Sequence, residues 1–270
     1  MLYTKYCILL DMAHAIEVKN LTRRFGKATA VKDLSFIVPE GEFFGFLGPN
    51  GAGKTTTMRM LATLLRPTSG TALVNGHDIV ASPADVRASI GFAMQGVTLD
   101  PLANAWENLV LLGVLYGAKE KDARKRAEQL LELMQLTKVA KQWVKNYSGG
   151  MKRRLDLAAV LMHQPAILFL DEPTEGLDPS GRRVIWQYLK KLGRDNGTTI
   201  FLTTHYMDEA DYLCERVAII DKGEIVVDGA PADLKKKVKG SLDDAFIHFT
   251  GHSIQDETTN SKAADPYVRI

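Results

Sequence analysis

The stretch "FFGFLGPNGAGKTTTMRMLATLL", Phe43 to Leu65, decides the fold. Its first part, "FFGFLG", is short and apolar, the pattern of a strand buried in the interior of a sheet. After Gly53 the spacing becomes that of a helix. Between the two, "GPNGAGKTT" matches G-x-x-x-x-G-K-[ST] in the strand-to-helix context that this pattern requires. Successive backbone N–H groups in such a loop wrap phosphate oxygens, unobstructed where glycine carries no Cβ. The candidate nucleotide-binding residues are therefore Gly48, Pro49, Asn50, Gly51, Ala52, Gly53, Lys54, Thr55 and Thr56. Lys54 is expected to neutralise the β- and γ-oxygens, and Thr55 to offer its hydroxyl to Mg2+.

Further along, "ILFLDEPT" is a second apolar strand, ending on Asp171 and Glu172. Carboxylates at the C-terminal edge of a buried strand reach into the crevice where α/β sheets bind ligands. Asp171 would hold Mg2+, directly or through water, and Glu172 would orient and deprotonate an attacking water. Alone the pair reads equally well as a solvated acidic turn; beside a phosphate loop it reads as an ATPase.

Around these two stretches, "TTIFLTT" and "RVAIID" alternate with helices "RRVIWQYLKKLGR" and "MDEADYLC". Short apolar strands alternating with helices predict a mostly parallel sheet covered on both faces, an α/β fold. Ala15 to Leu21, Leu34 to Val38, Thr71 to Val74 and Ser89 to Met94 are further strand candidates, Asn104 to Leu136 reads as an all-helical block, and "KGEIVVDGAP" as a closing hairpin.

Composition bounds the function. With 270 residues, 46% hydrophobic and 24% charged, the chain can bury a large core in one or two domains. A net charge of +2 is too small to argue for a nucleic-acid partner. The two cysteines, Cys7 and Cys214, stand in unrelated contexts, which argues against a disulfide framework or zinc site and for a reducing, cytoplasmic setting. No apolar run approaches the roughly 18 to 20 residues that span a bilayer, so the chain is expected to be soluble by itself. The apolar patch Cys7 to Leu10 is ended by Asp11 before a signal segment could develop. Residues 1–11 read as an upstream extension, and residues 1–14 are expected to be disordered.

Four more features stand in a fixed order: Gln95 at a strand end, "YSGGM" (Tyr147 to Met151), "GLDP" (Gly176 to Pro179), and His205 closing "FLTTH". Singly each has a bland reading as surface polar residue, turn or structural histidine. With the phosphate loop and "ILFLDEPT", over roughly Ile16 to Gly229, they resemble the nucleotide-binding subunit of an ATP-binding cassette (ABC) transporter. The resemblance implies a P-loop NTPase, RecA-like parallel core with an N-terminal antiparallel β subdomain and an inserted α-helical subdomain at about 97–162, within a domain at 15–230 followed by a C-terminal tail at 231–270. It implies ATP and Mg2+ as cofactors. It also makes Gln95 a glutamine-loop residue sensing Mg2+ and the lytic water, His205 the switch histidine on the γ-phosphate, Asp178 an interface residue, and Phe25 an aromatic that stacks on adenine. Ser148, Gly149 and Gly150 form the signature loop, which in this family closes over the ATP held by a partner subunit, so a homodimer or heterodimer is implied. Met151 stands where the family commonly has Gln, and Met94 where Pro is frequent; neither change removes a phosphate ligand.

"RRLDLAAVLMHQPAILFLDEPTEGLDP" and "TTHYMDEADYLCERVAIIDKGEIVVDGAP" further resemble ABC-2 type exporters of the daunorubicin-resistance kind. That likeness implies efflux of a drug, antibiotic or lipid-like compound through a separate permease, with the subunit held at the inner face of the cell membrane. The helical block beside Gln95 is the expected docking site. A non-transport cassette ATPase acting on DNA or ribosomes is the alternative; such proteins generally carry long coiled coils or two cassettes, and this chain has neither.

Overall fold

The computed structural model describes residues 14–93 and 99–252, the side chains of 194–196 excepted. The apolar run ahead of the phosphate loop forms β3 (Phe43–Leu47), buried at all five residues. Its side chains alternate between faces: Phe44 and Phe46 enter one apolar cluster, Phe43 and Leu47 another. With β6 (Ile90–Ala93), β7 (Ile167–Asp171), β8 (Thr199–Thr204), β9 (Arg216–Asp221) and β10 (Glu224–Gly229) it builds a six-stranded sheet in the order β10-β9-β3-β8-β7-β6. All pairs are parallel except β9 with β10, the expected closing hairpin. The parallel strands consequently end together, on one edge.

An antiparallel sheet, β2-β1-β4-β5, covers one face of this core. Its strands are β1 (His14–Phe25), β2 (Ala28–Pro39), β4 (Ser69–Val74) and β5 (His77–Asp78). Aromatic rings join the two sheets: Phe36 stacks on Phe44 with centroids 5.7 Å apart, and Phe201 lies 5.3 Å from Phe44 and 5.6 Å from Phe169. Helix α1 (Lys54–Leu61) adds Met58, Met60 and Leu61 to this cluster, and α2 (Pro83–Ser89) adds Val86. The other face carries α3 (Ala105–Leu115), α4 (Glu120–Leu133), α5 (Gly149–Val160), α6 (Pro179–Asn196), α7 (Met207–Leu213), α8 (Pro231–Val238) and α9 (Leu242–Thr250).

The structure differs from the sequence reading in three places. The first two strands are longer than expected, because register shifts along their pairing interrupt the apolar alternation without ending the strands. The helical block is broken into two helices: Gly117, at φ +90, ends the first just beyond α3, and Gly113 lets the second approach so closely that a Cβ there would lie 2.7 Å from that of Ala123. A capping box between Asn104 and Glu107, both bonds 2.9 Å, fixes the start of α3. Residues 231–252, read as tail, are mostly helical and packed: Leu234, Leu242, Ala245 and Phe246 belong to the helical-side cluster. Residues 1–13 and 253–270 lie outside the described residues.

Because Phe246 is 1% exposed, Phe246→Ala should destabilise the whole domain by about 3–5 kcal/mol. Urea denaturation measures this; a loss under about 1 kcal/mol would mean that the C-terminal helices are not integral to the core.

Candidate active site

Backbone geometry shapes the phosphate loop before any side chain acts. A Cβ on Gly48 would meet the Ile220 carbonyl oxygen at 2.3 Å, and Gly53 adopts φ +105, so both positions demand glycine. Lys54 then opens α1 and folds back over the loop, its Nζ donating to the carbonyls of Gly48 (2.7 Å) and Pro49 (2.9 Å) and lying 3.3 Å from Glu172 Oε1. Burial lowers the Lys54 pKa, and the Glu172 charge opposes that.

The carboxylates arrive from β7. Asp171 Oδ1 accepts hydrogen bonds from Thr203 Oγ1 (2.6 Å) and from Thr55 Oγ1 (3.1 Å). Glu172 sits at φ +46, a left-handed conformation strained for a non-glycine residue, and its N–H is held by Thr203. His205 Nδ1, from the end of β8, lies 3.3 Å from the same Oε1 that faces Lys54, close enough to attract it though not aligned for a hydrogen bond. Burial pushes the Glu172 pKa up, but His205 and Lys54 together outweigh burial and hold it at about 2. A cleft of about 340 Å³ opens here, lined by Asn50, Gly51, Gly53, Lys54, Thr55, Thr56, Glu172 and Glu175. A larger hollow of about 580 Å³, at the opposite ends of β7 and β8, contains none of the predicted site residues.

Other predicted residues lie elsewhere. Ser148 caps α5, accepting from the Met151 N–H at 3.3 Å, and neither it nor Gly149 or Gly150 lines the cleft. Asp178 is exposed and caps α6 through the Gly181 N–H at 3.0 Å. Phe25 is the last residue of β1, at the hairpin end; it is 37% exposed, with the Arg23 guanidinium 4.5 Å over its ring. Gln95 lies outside the described residues. Thr55 and Asp171 present a hydroxyl and a carboxylate, hard oxygens that suit a Mg2+ ion whose remaining ligands are phosphate and water.

Residues 31–175 match the family model described as ABC transporter. The chain belongs to the ABC transporter family. It is 46% identical over 228 residues to the daunorubicin/doxorubicin resistance ATP-binding protein DrrA of Streptomyces peucetius, which covers 84% of this chain and 69% of that protein. Identity is 41% over 241 residues to the linearmycin resistance ATP-binding protein LnrL of Bacillus subtilis, covering 89% and 76%. It is 44% over 220 residues to the Nod factor export ATP-binding protein I of Paraburkholderia xenovorans, covering 82% and 72%. Among solved structures, a dimeric ATP-binding cassette bound to ADP and Pi in a post-hydrolysis state superposes with a TM-score of 0.72 at 29% identity, covering 80% of this chain and 98% of that one. An ATP binding subunit of an ABC transporter gives 0.78 at 26%, covering 87% and 99%. The chain is thus an ABC ATPase that binds and hydrolyses ATP.

Within this ABC cassette, several neighbours of the carboxylates escaped the sequence reading. Thr203 holds both Asp171 and Glu172 in place. Its signal was present: two threonines end the apolar strand "IFLTT", and a buried hydroxyl needs a partner. Glu209, fully buried on α7, accepts from Thr174 Oγ1 (2.7 Å) and Trp186 Nε1 (2.9 Å), so it ties the turn after Glu172 to α6. Burial raises its pKa.

The low pKa of Glu172 gives a pH signature. Its ordinary value is 4.5 and its folded value about 2, so its ionised form stabilises the fold fully above about pH 4.5 and that contribution is lost as pH falls through about 2. Wild type should therefore lose more stability than Glu172→Gln between pH 6 and pH 3, as read by urea midpoints at each pH. Parallel losses would mean that Glu172 is not held by Lys54 and His205.

Proposed function

We propose that this chain powers export of a drug, antibiotic or lipid-like compound through a separate ABC-2 type permease, hydrolysing ATP at sites shared between two ATPase subunits. The observation that carries the sharing is the state of the signature loop. Ser148 does not line the chain's own cleft, and a Cβ at Gly149 would meet nothing within 4 Å, at Gly150 only a Leu177 methyl at 3.6 Å. The fold itself does not need these glycines, whereas a phosphate brought against the N-terminus of α5 by another subunit does. The partner is a second copy or a sister cassette, and Asp178 faces it.

Hydrolysis follows from charges in the cleft. The triphosphate takes Lys54 from Glu172, and Glu172, losing the cation that holds its pKa down, becomes a better proton acceptor for the attacking water. His205 turns from the carboxylate to the γ-phosphate, Gln95 orients the water, and Phe25 stacks on the adenine. Thr55 and Asp171 would hold Mg2+, which would supply charge neutralisation on the phosphates.

Transport requires a membrane partner. Among the described residues no helix is long and apolar enough to cross a membrane. The subunit works in the cytoplasm, at the inner face of the membrane, through its permease. Leu111, Val114 and Leu115 on α3, with Tyr116 beyond it and Leu102 ahead of it, are exposed, and this is the surface on which the permease docks. Relatives named for resistance and export favour this reading over a role on DNA or ribosomes.

Glu172→Gln should keep ATP binding and lower turnover by about 100-fold or more, with ATP-bound dimers accumulating in size-exclusion chromatography. Near-normal turnover would refute Glu172 as base. Lys54→Ala and Ser148→Arg subunits, each inactive alone, should regain ATPase activity when paired, since a shared arrangement places both lesions in one site and leaves the other intact; no recovery would refute sharing. Leu111→Glu with Leu115→Glu should abolish efflux while sparing ATP binding; undiminished efflux would place the docking surface elsewhere.

A further inference from the structure

The signature helix α5 carries one side chain that reaches the hydrolytic turn of its own chain. Arg153, 12% exposed, directs Nε to the Pro173 carbonyl (2.8 Å) and Nη2 to the carbonyls of Asp171 (3.1 Å) and Glu172 (3.3 Å). Its Nη1 lies 3.5 Å from Asp156 Oδ2, on the same helix. One planar fork thus gathers the carbonyls of three consecutive residues, at the turn where Glu172 is held at φ +46. The neighbouring Arg154 points elsewhere, donating to the Met134 carbonyl at 3.0 Å. Burial lowers the pKa of Arg153 while Asp156 and Asp171 oppose that, so the cation is enclosed among the groups it holds.

We propose that Arg153 is a positioning residue that sets Glu172 of its own chain and thereby links the base of one ATP site to the signature loop serving the other. Ser148 and Arg153 lie on one short helical turn and a half, at the capped start of α5. In the shared arrangement Ser148 acts across the interface, whereas Arg153 acts within the chain. Seating of Ser148 on the partner's nucleotide is therefore transmitted, through a rigid helix end, to the strained turn that carries the chain's own base. This inference rests on the shared-site reading, and its test separates the two.

The variant is Arg153→Met, which keeps the aliphatic length and removes the fork. In full-length homodimers kcat should fall by at least about tenfold, as expected of a misplaced base, while the Kd of a fluorescent ATP analogue on the isolated subunit stays within about twofold. Unchanged kcat, or an equal loss of ATP affinity, would overturn the proposal. The decisive measurement uses two subunits joined in tandem, one Arg153→Met and the other Ser148→Arg, beside the Lys54→Ala with Ser148→Arg control. If Arg153 serves its own Glu172, both lesions fall in one site and activity recovers to the level of the control. If Arg153 only shapes the signature loop, its loss breaks the partner's site, both sites fail, and the tandem stays inactive while the control recovers; the proposal is then wrong. Should the control itself fail to recover, the shared-site reading falls, and the action of Arg153 on its own Glu172 is decided by the split between kcat and Kd in the homodimer.

Discussion

Glu172 Oε1 lies 3.3 Å from both Lys54 Nζ and His205 Nδ1, and the architecture is organised around that one oxygen. A carboxylate this buried persists as a charge only if partners surround it. Three elements provide it and them: Lys54 follows β3, Glu172 follows β7, His205 follows β8. In the sheet these are the consecutive strands β3-β8-β7, all parallel, so their C-terminal ends converge on one edge. An antiparallel arrangement would send one of the three groups to the far side of the sheet.

In the proposed mechanism the same pairing would keep Glu172 quiet without nucleotide. At a pKa of about 2, Glu172 is a weak proton acceptor, and Lys54 is occupied by Glu172 and two loop carbonyls. Breaking a buried pair by removing one partner typically costs 3–5 kcal/mol, so neither group leaves the other readily. In the proposed mechanism a triphosphate would change the balance by exchange: Lys54 would trade one anion for another, leaving the carboxylate short of a cation, so that activation of Glu172 would be coupled to the arrival of the charge it acts upon.

How much of this was legible follows from what the twenty letters can encode. The phosphate loop was readable because its geometry demands glycine at Gly48 and Gly53, and the parallel core because β3 and β7 are apolar at almost every position and β8 carries an apolar centre. Asp171 and Glu172 were readable as charges at the end of an apolar run. Arg153 was not, since its partners are three backbone carbonyls, which have no letter of their own. Nor was the break after α3, where Gly117 looks like any glycine until its φ of +90 is known. The C-terminal helices hid behind a largely polar composition, while inward residues, among them Leu234, Leu242, Ala245 and Phe246, tie them to the core.

Coupling between the cleft and a docking surface needs a path that moves as a unit. The helical-side cluster is continuous from Leu109 of α3 and Leu130 of α4, through Leu155 of α5, to Leu168 of β7 and Leu202 of β8. Close-packed interiors have low compressibility and transmit displacement rather than absorb it. The strands that lead into Glu172 and His205 therefore share one packed body with the exposed face of α3. Arg153 adds a polar contact at the top of that body, between α5 and the turn carrying Glu172. In the proposed mechanism a change in charge at Glu172 would act first on the turn held at φ +46, then on the helix that grips its carbonyls, and then on the helices packed on α5.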